Sequence, residues 1–134
     1  MVSAYVLDTN IVSEAMRRND AVLAQIEEAM SRNDVLYLCP VVHFEATRGI
    51  LHSGDELLRE AYEELTPTWL WDDLYRRDWN MAAELWRRAL SMGRNDKDAD
   101  LLIAAFALNR DAVMVTHNPR HFVHLVNALE DWVP

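Results

Sequence analysis

The 134 residues carry 22 acidic and 13 basic side chains, a formal net charge of −9, and 51 % of them are apolar. That size admits one domain around one core, and the lack of any Gly/Pro-rich or low-complexity tract argues against a substantial linker or disordered tail, so residues 1–134 are read as a single domain. A lone cysteine excludes a disulfide framework, no apolar run approaches a bilayer span, and no h-region precedes polar Asp8-Thr-Asn10; a soluble, cytoplasmic protein is expected.

Taken in chain order, residues 2–7 form a short apolar run rich in β-formers that stops abruptly at Asp8-Thr-Asn10, as a buried strand followed by an N-capped helix would. Residues 35–39 read as a second buried strand, with Cys39 as a small buried hydrophobe. Pro40 then opens a helix in which Val41, Val42, Phe44, Ala46 and Ile50 repeat with helical period up to Gly54, and Glu45 lies on it. Helical spacing recurs over residues 55–65 and 75–92, with Thr66-Pro67 and a short strand over 68–71 between them. Asn95 or Asp96 is expected to cap a helix reaching about Arg110, almost wholly apolar after its acidic first turn and therefore sandwiched between other elements. Residues 112–116 are a further strand, followed by a helical turn over 119–126 and a terminal segment 129–133. Strands alternating with helices predict a parallel sheet of four to five strands covered on both faces.

The acidic total argues against a nucleic-acid partner, because phosphate neutralisation supplies most of the affinity for one. The distribution matters more. Residues 55–84 hold nine acids and three arginines, whereas residues 86–124 hold six basic residues against four acids, with His117, His121 and His124 besides. Arg87, Arg88, Arg94 and Lys97 could be an ordinary solvated face or an RNA-backbone contact, with Arg120 and His117 as further phosphate contacts. The three histidines have a spacing that could ligate zinc, but no nearby cysteine or acid completes a set. The five tryptophans are expected mostly in the core or at an interface, with Trp79 and Trp86 on one helix face.

In an open parallel sheet the ligand crevice lies beyond the carboxyl ends of the strands. Asp8 falls there after the first strand and Asn118 after the strand ending at Thr116, while Glu45 and Asp100 on two helices could converge on the same crevice. Three carboxylates brought together repel one another unless a divalent cation neutralises them, and hard oxygen ligands match Mg²⁺ or Mn²⁺. Each acid also has a plainer reading: Asp8 as a helix cap, Glu45 as a solvated charge, Asp100 as a favourable charge on a helix dipole that Asp96 and Asp98 already supply.

Four segments resemble one family. Tyr5-Val-Leu-Asp8-Thr-Asn10, Pro40 through Glu45 to Gly49, Asp98-Ala-Asp100-Leu-Leu-Ile-Ala-Ala105 and Val115-Thr-His-Asn118 through Phe122 stand in the order and spacing of VapC-type PIN domains, and Glu130-Asp-Trp132 is similar to the family's end. The resemblance implies a three-layer α/β/α PIN-like fold and an Mg²⁺- or Mn²⁺-dependent endoribonuclease, the toxin of a pair, with a VapB-like antitoxin as partner, RNA as substrate and a homodimer as the expected assembly. It puts Asp8, Glu45 and Asp100 at the central acidic positions, which bind the metal, with Asp98 assisting and Thr116 and Asn10 holding the carboxylates. Asn118 stands where the commonest family pattern has aspartate, so a second metal would be held more weakly or through water. Three other readings stay open: a PIN-type nuclease of general RNA processing or structured DNA, a PIN domain that binds RNA or a partner without cutting, and a receiver-like domain. The last would need a lysine after a late strand, and the only lysine is Lys97.

Overall fold

A computed structural model describes residues 2–134. Five parallel strands, β1 (Ala4–Leu7), β2 (Val35–Leu38), β3 (Leu70–Trp71), β4 (Val113–Val115) and β5 (Leu129–Glu130), lie in the order β3-β2-β1-β4-β5. Helices α1 (Thr9–Met16), α2 (Asp20–Ser31), α3 (Pro40–Ser53), α4 (Glu56–Leu65), α5 (Arg76–Ser91), α6 (Asp98–Asn109) and α7 (Pro119–Phe122) connect and cover the strands, giving the α/β/α layering expected. The chain leaves β1 in one direction across the sheet to β2 and β3, then crosses to the other side of β1 for β4 and β5. The topological switch point therefore falls between β1 and β4, where a crevice opens beyond the strand ends.

The core forms from the apolar strand residues Val6, Leu7, Leu36, Met114 and Val115 together with Ile11, Val12, Val42, Ile103 and Phe106, all nearly free of solvent. The central helix α6 packs against β1, β4, α3 and α5, which explains its nearly unbroken apolar run: Leu101 and residues 103–107 are all buried. Its first turn escapes that packing and carries Asp98 and Asp100.

Several boundaries differ from the sequence reading. Residues 20–31, given no element from sequence, form α2, because Arg18 adopts a left-handed conformation (φ 62°) and the Asn19 side chain recaps the chain through the Ala21 and Val22 amides. The α6 cap is Lys97, without a side-chain cap bond; Asn95 and Asp96 do not serve, and the Asp96 carboxylate is instead taken by His124 at 2.8 Å. In α3, Phe44 is 60 % exposed while Val42, Ala46 and Ile50 face the core. The segment 68–71 divides into the end of a 3-10 turn (Thr66–Thr68) and the two-residue β3.

Candidate active site

Asp8 is the first residue past β1. Its amide donates to the Val115 carbonyl of β4 at 2.8 Å, which locks the strand end onto its neighbour. Its carboxylate is shared: Oδ1 accepts from the Thr9 amide at 2.8 Å as the cap of α1, and Oδ2 accepts from the Thr116 hydroxyl at 2.8 Å. The plain reading of Asp8 as a helix cap and the functional one thus hold together. Thr116, fully buried at the end of β4, also accepts from the Asn118 amide at 3.0 Å and faces the Asn10 side-chain amide at 3.4 Å, while Asn10 Oδ1 accepts from the His117 amide. Asn10 therefore acts on Thr116 and the following loop, and only through them on Asp8.

Glu45, in the second turn of α3, is oriented by Thr9, whose hydroxyl donates to its Oε1 at 2.7 Å, with Arg48 at 3.8 Å from the other oxygen. Asp100, in the first turn of α6, is partly buried and has His121 Nδ1 at 3.4 Å. Burial pushes the Asp8 carboxyl up to about 6; hydrogen bonds from Thr116 and Thr9 oppose the shift, and the charges of Asp100 and Glu45 add to it. Burial likewise raises Asp100, against the charge of His121 and with that of Glu45. The three acids thus sense one another electrostatically.

Among the described residues no group of three or more His, Cys, Asp or Glu side chains is placed to hold a metal ion. The donor set itself fits a hard divalent ion. It consists of carboxylate oxygens with hydroxyl support and no sulfur, and a buried carboxylate beside two like charges is a group a cation would relieve. An open set of two or three carboxylates suits an ion that keeps several waters.

The remaining sequence candidates separate. Asp98 is exposed and faces Trp79 and Trp86 of α5, away from the other acids. The Asn118 side chain is exposed, and its backbone is what contacts Thr116. His117 pairs with Asp131 at 3.0 Å, His121 with Asp100 and His124 with Asp96, so the three histidines diverge and the zinc reading fails. Arg87 engages Glu84 of its own helix at 2.9 Å, and Arg88 is exposed beside it. Arg94 and Lys97 border Asp100 directly, whereas Arg120 holds Arg94 only through its carbonyl. Thr9 was missed from sequence; its place between Asp8 and Asn10 was the available signal.

Replacing Thr116 by valine keeps the shape but removes the donor to Asp8 and the acceptor for the Asn118 amide. Divalent-ion affinity, measured by calorimetric titration with Mn²⁺, is expected to fall about 10- to 100-fold in a folded protein. Unchanged affinity would mean that Asp8 does not bind the ion.

The chain resembles proteins of one kind throughout its length. It is 29 % identical over 116 residues to ribonuclease VapC19 of Mycobacterium tuberculosis (strain CDC 1551 / Oshkosh), covering 87 % of this chain and 90 % of that protein. It is 28 % identical over 137 residues to ribonuclease VapC1 of Haemophilus influenzae (strain R2866), covering 96 % and 97 %. The fold superposes with a TM-score of 0.88 on a chain of the crystal structure of VapBC2 from Rickettsia felis bound to a DNA fragment from their promoter, at 25 % identity and covering 97 % and 99 % of the two chains. The model of the PIN domain family matches residues 5–126, which span β1 to the segment after α7 and include every acid of the crevice, and the chain belongs to that family.

Proposed function

We propose that this protein is a divalent-metal-dependent endoribonuclease, using Mg²⁺ or Mn²⁺, and the toxin of a toxin–antitoxin pair. The observation that supports the reading is the buried Asp8 carboxylate at the end of β1 beside β4, held by the Thr9 amide and the Thr116 hydroxyl and raised to about 6 by burial, with the charges of Asp100 and Glu45 adding to the shift. Relatives named as ribonucleases and a close superposition on a VapBC complex support the same reading.

Asp8, Asp100 and Glu45 would hold the ion. Such an ion would supply charge stabilisation at a phosphodiester and a more acidic water as nucleophile. The chain's own residues do the positioning. Thr116 and the Thr9 amide fix both oxygens of Asp8, the Thr9 hydroxyl fixes Glu45, and α1 and α3 are thereby pinned about one crevice. With both oxygens of Asp8 already accepting hydrogen bonds, the group serves as a fixed anion rather than as a mobile proton acceptor.

An antitoxin must silence this site. We assign its docking surface to the cavity of about 310 Å³ between α3 and α4, lined by Thr47, Ile50, Leu51 and Tyr62, where the acids of α4 form the outer face. Tyr62 and Trp69 are 7 % exposed and cannot themselves project to a partner, whereas Leu57 and Trp71 can. A second copy is assigned to the exposed apolar band of Phe44, Trp79 and Trp86 with Leu102 between them. No helix of the described residues is long and apolar enough to cross a membrane.

The test is incubation of the purified chain with total RNA in Mg²⁺, Mn²⁺ or EDTA, alone and with the product of the neighbouring reading frame. Internal cuts are expected with either metal, none in EDTA, and fewer with the neighbour's product. Undiminished cutting in EDTA would refute metal dependence, and RNA left intact in every condition would leave the non-cutting PIN domain as the better reading.

A further inference from the structure

We infer that the recess between the α5–α6 turn and α7 is the subsite for the RNA phosphate adjacent to the one being cut; this rests on the nuclease reading of the carboxylate crevice. The recess encloses about 370 Å³ and is walled by residues 93–97 on one side and His121 on the other, with Asp100 as the wall it shares with the crevice. Apart from Gly93, every residue that lines it carries a polar or charged side chain, which suits a charged ligand.

The two basic residues of the wall are used differently. Arg94 is already held: its Nε lies 3.0 Å from His124 Nε2, a terminal nitrogen donates to the Arg120 carbonyl at 3.0 Å, and Asp96 lies 3.9 Å away. Asp96 in turn is gripped by His124 at 2.8 Å, with both side chains about nine-tenths buried. These contacts tie the turn to α7, with His124 Nε2 either donating to Asp96 or accepting from Arg94, since one ring nitrogen cannot do both.

Lys97 is left over. It is exposed, its ammonium makes no hydrogen bond or ion pair among the described residues, and it sits close enough to Asp100 to favour that carboxylate's charge. A free ammonium beside a carboxylate meant for a cation weakens cation binding by like-charge repulsion. The arrangement makes sense when an anion lies between them. A single RNA strand supplies that anion, because a strand with one phosphate at the carboxylates brings the next within reach of the neighbouring wall. Arg87 and Arg88, on the outer face of α5, do not line this recess.

The test is a titration of the ¹⁵N-labelled protein with a short single-stranded RNA in EDTA, where turnover is absent. Amide shifts are expected at Gly93, Asn95, Lys97 and His121. Lys97→Ala should weaken binding by about tenfold and lower the salt slope by about one. Shifts confined to the Arg87 and Arg88 face, or a Lys97→Ala protein that binds like the wild type, would overturn the subsite. Cleavage of the same RNA in Mn²⁺ separates the two readings. A protein that binds at the recess yet never cuts refutes the nuclease reading alone; one that cuts while the recess stays silent refutes the subsite alone.

Discussion

Converting any one of Asp8, Glu45 or Asp100 to its amide is expected to lower metal-dependent RNA cleavage by on the order of 10³-fold or more, with double variants little worse than single ones. On the proposed reading the acids would work as one unit, because an ion that lost one anionic ligand would lose its position and its coordinated water together. For Asp8 the effect on stability should have the opposite sign. Its carboxyl titrates near pH 6 in the folded chain instead of 3.8, so the folded state binds the extra proton between those values. Stability from that proton is fully present below pH 3.8 and lost as pH rises through about 6, a total of about 3 kcal/mol. Asp8→Asn keeps an oxygen for the Thr9 amide and removes the buried charge. In EDTA near neutral pH it should therefore melt above the wild type, with the gap closing by about pH 4. Divalent ion should raise the wild-type melting temperature and leave the variant's unchanged. Thermal melts across pH with and without Mg²⁺ check this; a variant less stable than wild type in EDTA at neutral pH would mean that the Asp8 charge is already compensated within the chain.

The crevice was legible because its parts are short-range features. An apolar run that ends at an acid marks a buried strand end, and the rule that ligands sit beyond such ends put Asp8 and Asn118 at one crevice; the Asn118 side chain is exposed, and it is Thr116 whose hydroxyl reaches the Asp8 carboxylate across 108 residues of sequence. Glu45 and Asp100 needed the helix periods as well, and both helices formed where the apolar spacing put them. What sequence could not supply was competition for side chains. Asp96 looks like a helix cap, but His124 and Arg94, about 30 residues away and two residues away, claim its carboxylate, and the cap falls to Lys97. Asp98 and Asp100 are two positions apart, which on a helix turns them to different faces, so one meets the crevice and the other the tryptophans of α5. The break between α1 and α2 depends on one left-handed arginine, a conformation that local composition does not announce.

The same limit hid the strongest polar structure in the molecule, and it carries the second large expectation. Arg110 follows α6 and has 2 % of its side chain exposed, and all five of its N–H donors are used. They go to Asp72 at 2.9 Å, to the two oxygens of Asp78 at 2.9 and 3.1 Å, and to the Phe106 and Asp73 carbonyls at 3.0 Å each, with the guanidinium 3.6 Å above the Phe106 ring. Burial alone would raise the Asp78 carboxyl, but bonds from Arg110, Asn109 and the Tyr75 amide hold it below the ordinary range. Arg110→Met keeps the bulk over Phe106 and leaves a fully buried carboxylate without its cation, so it should cost about 3–5 kcal/mol in urea unfolding. Adding Asp78→Asn, which still accepts from the Tyr75 amide, should recover part of that loss, because the orphaned charge and not the missing pair is the larger penalty. Arg110→Lys restores a cation for Asp78 but not the fork, so its stability should fall between that of Arg110→Met and the wild type, since one ammonium cannot serve five acceptors. Catalysis should separate from stability here. The network closes the far end of α6, twelve residues or about 18 Å from Asp100's end, so cleavage per folded molecule at a temperature well below melting should stay within about twofold of wild type. A loss under 1 kcal/mol for Arg110→Met, or a double variant weaker than the single, would show that the pair is not what holds α5, α6 and the β3–α5 segment together.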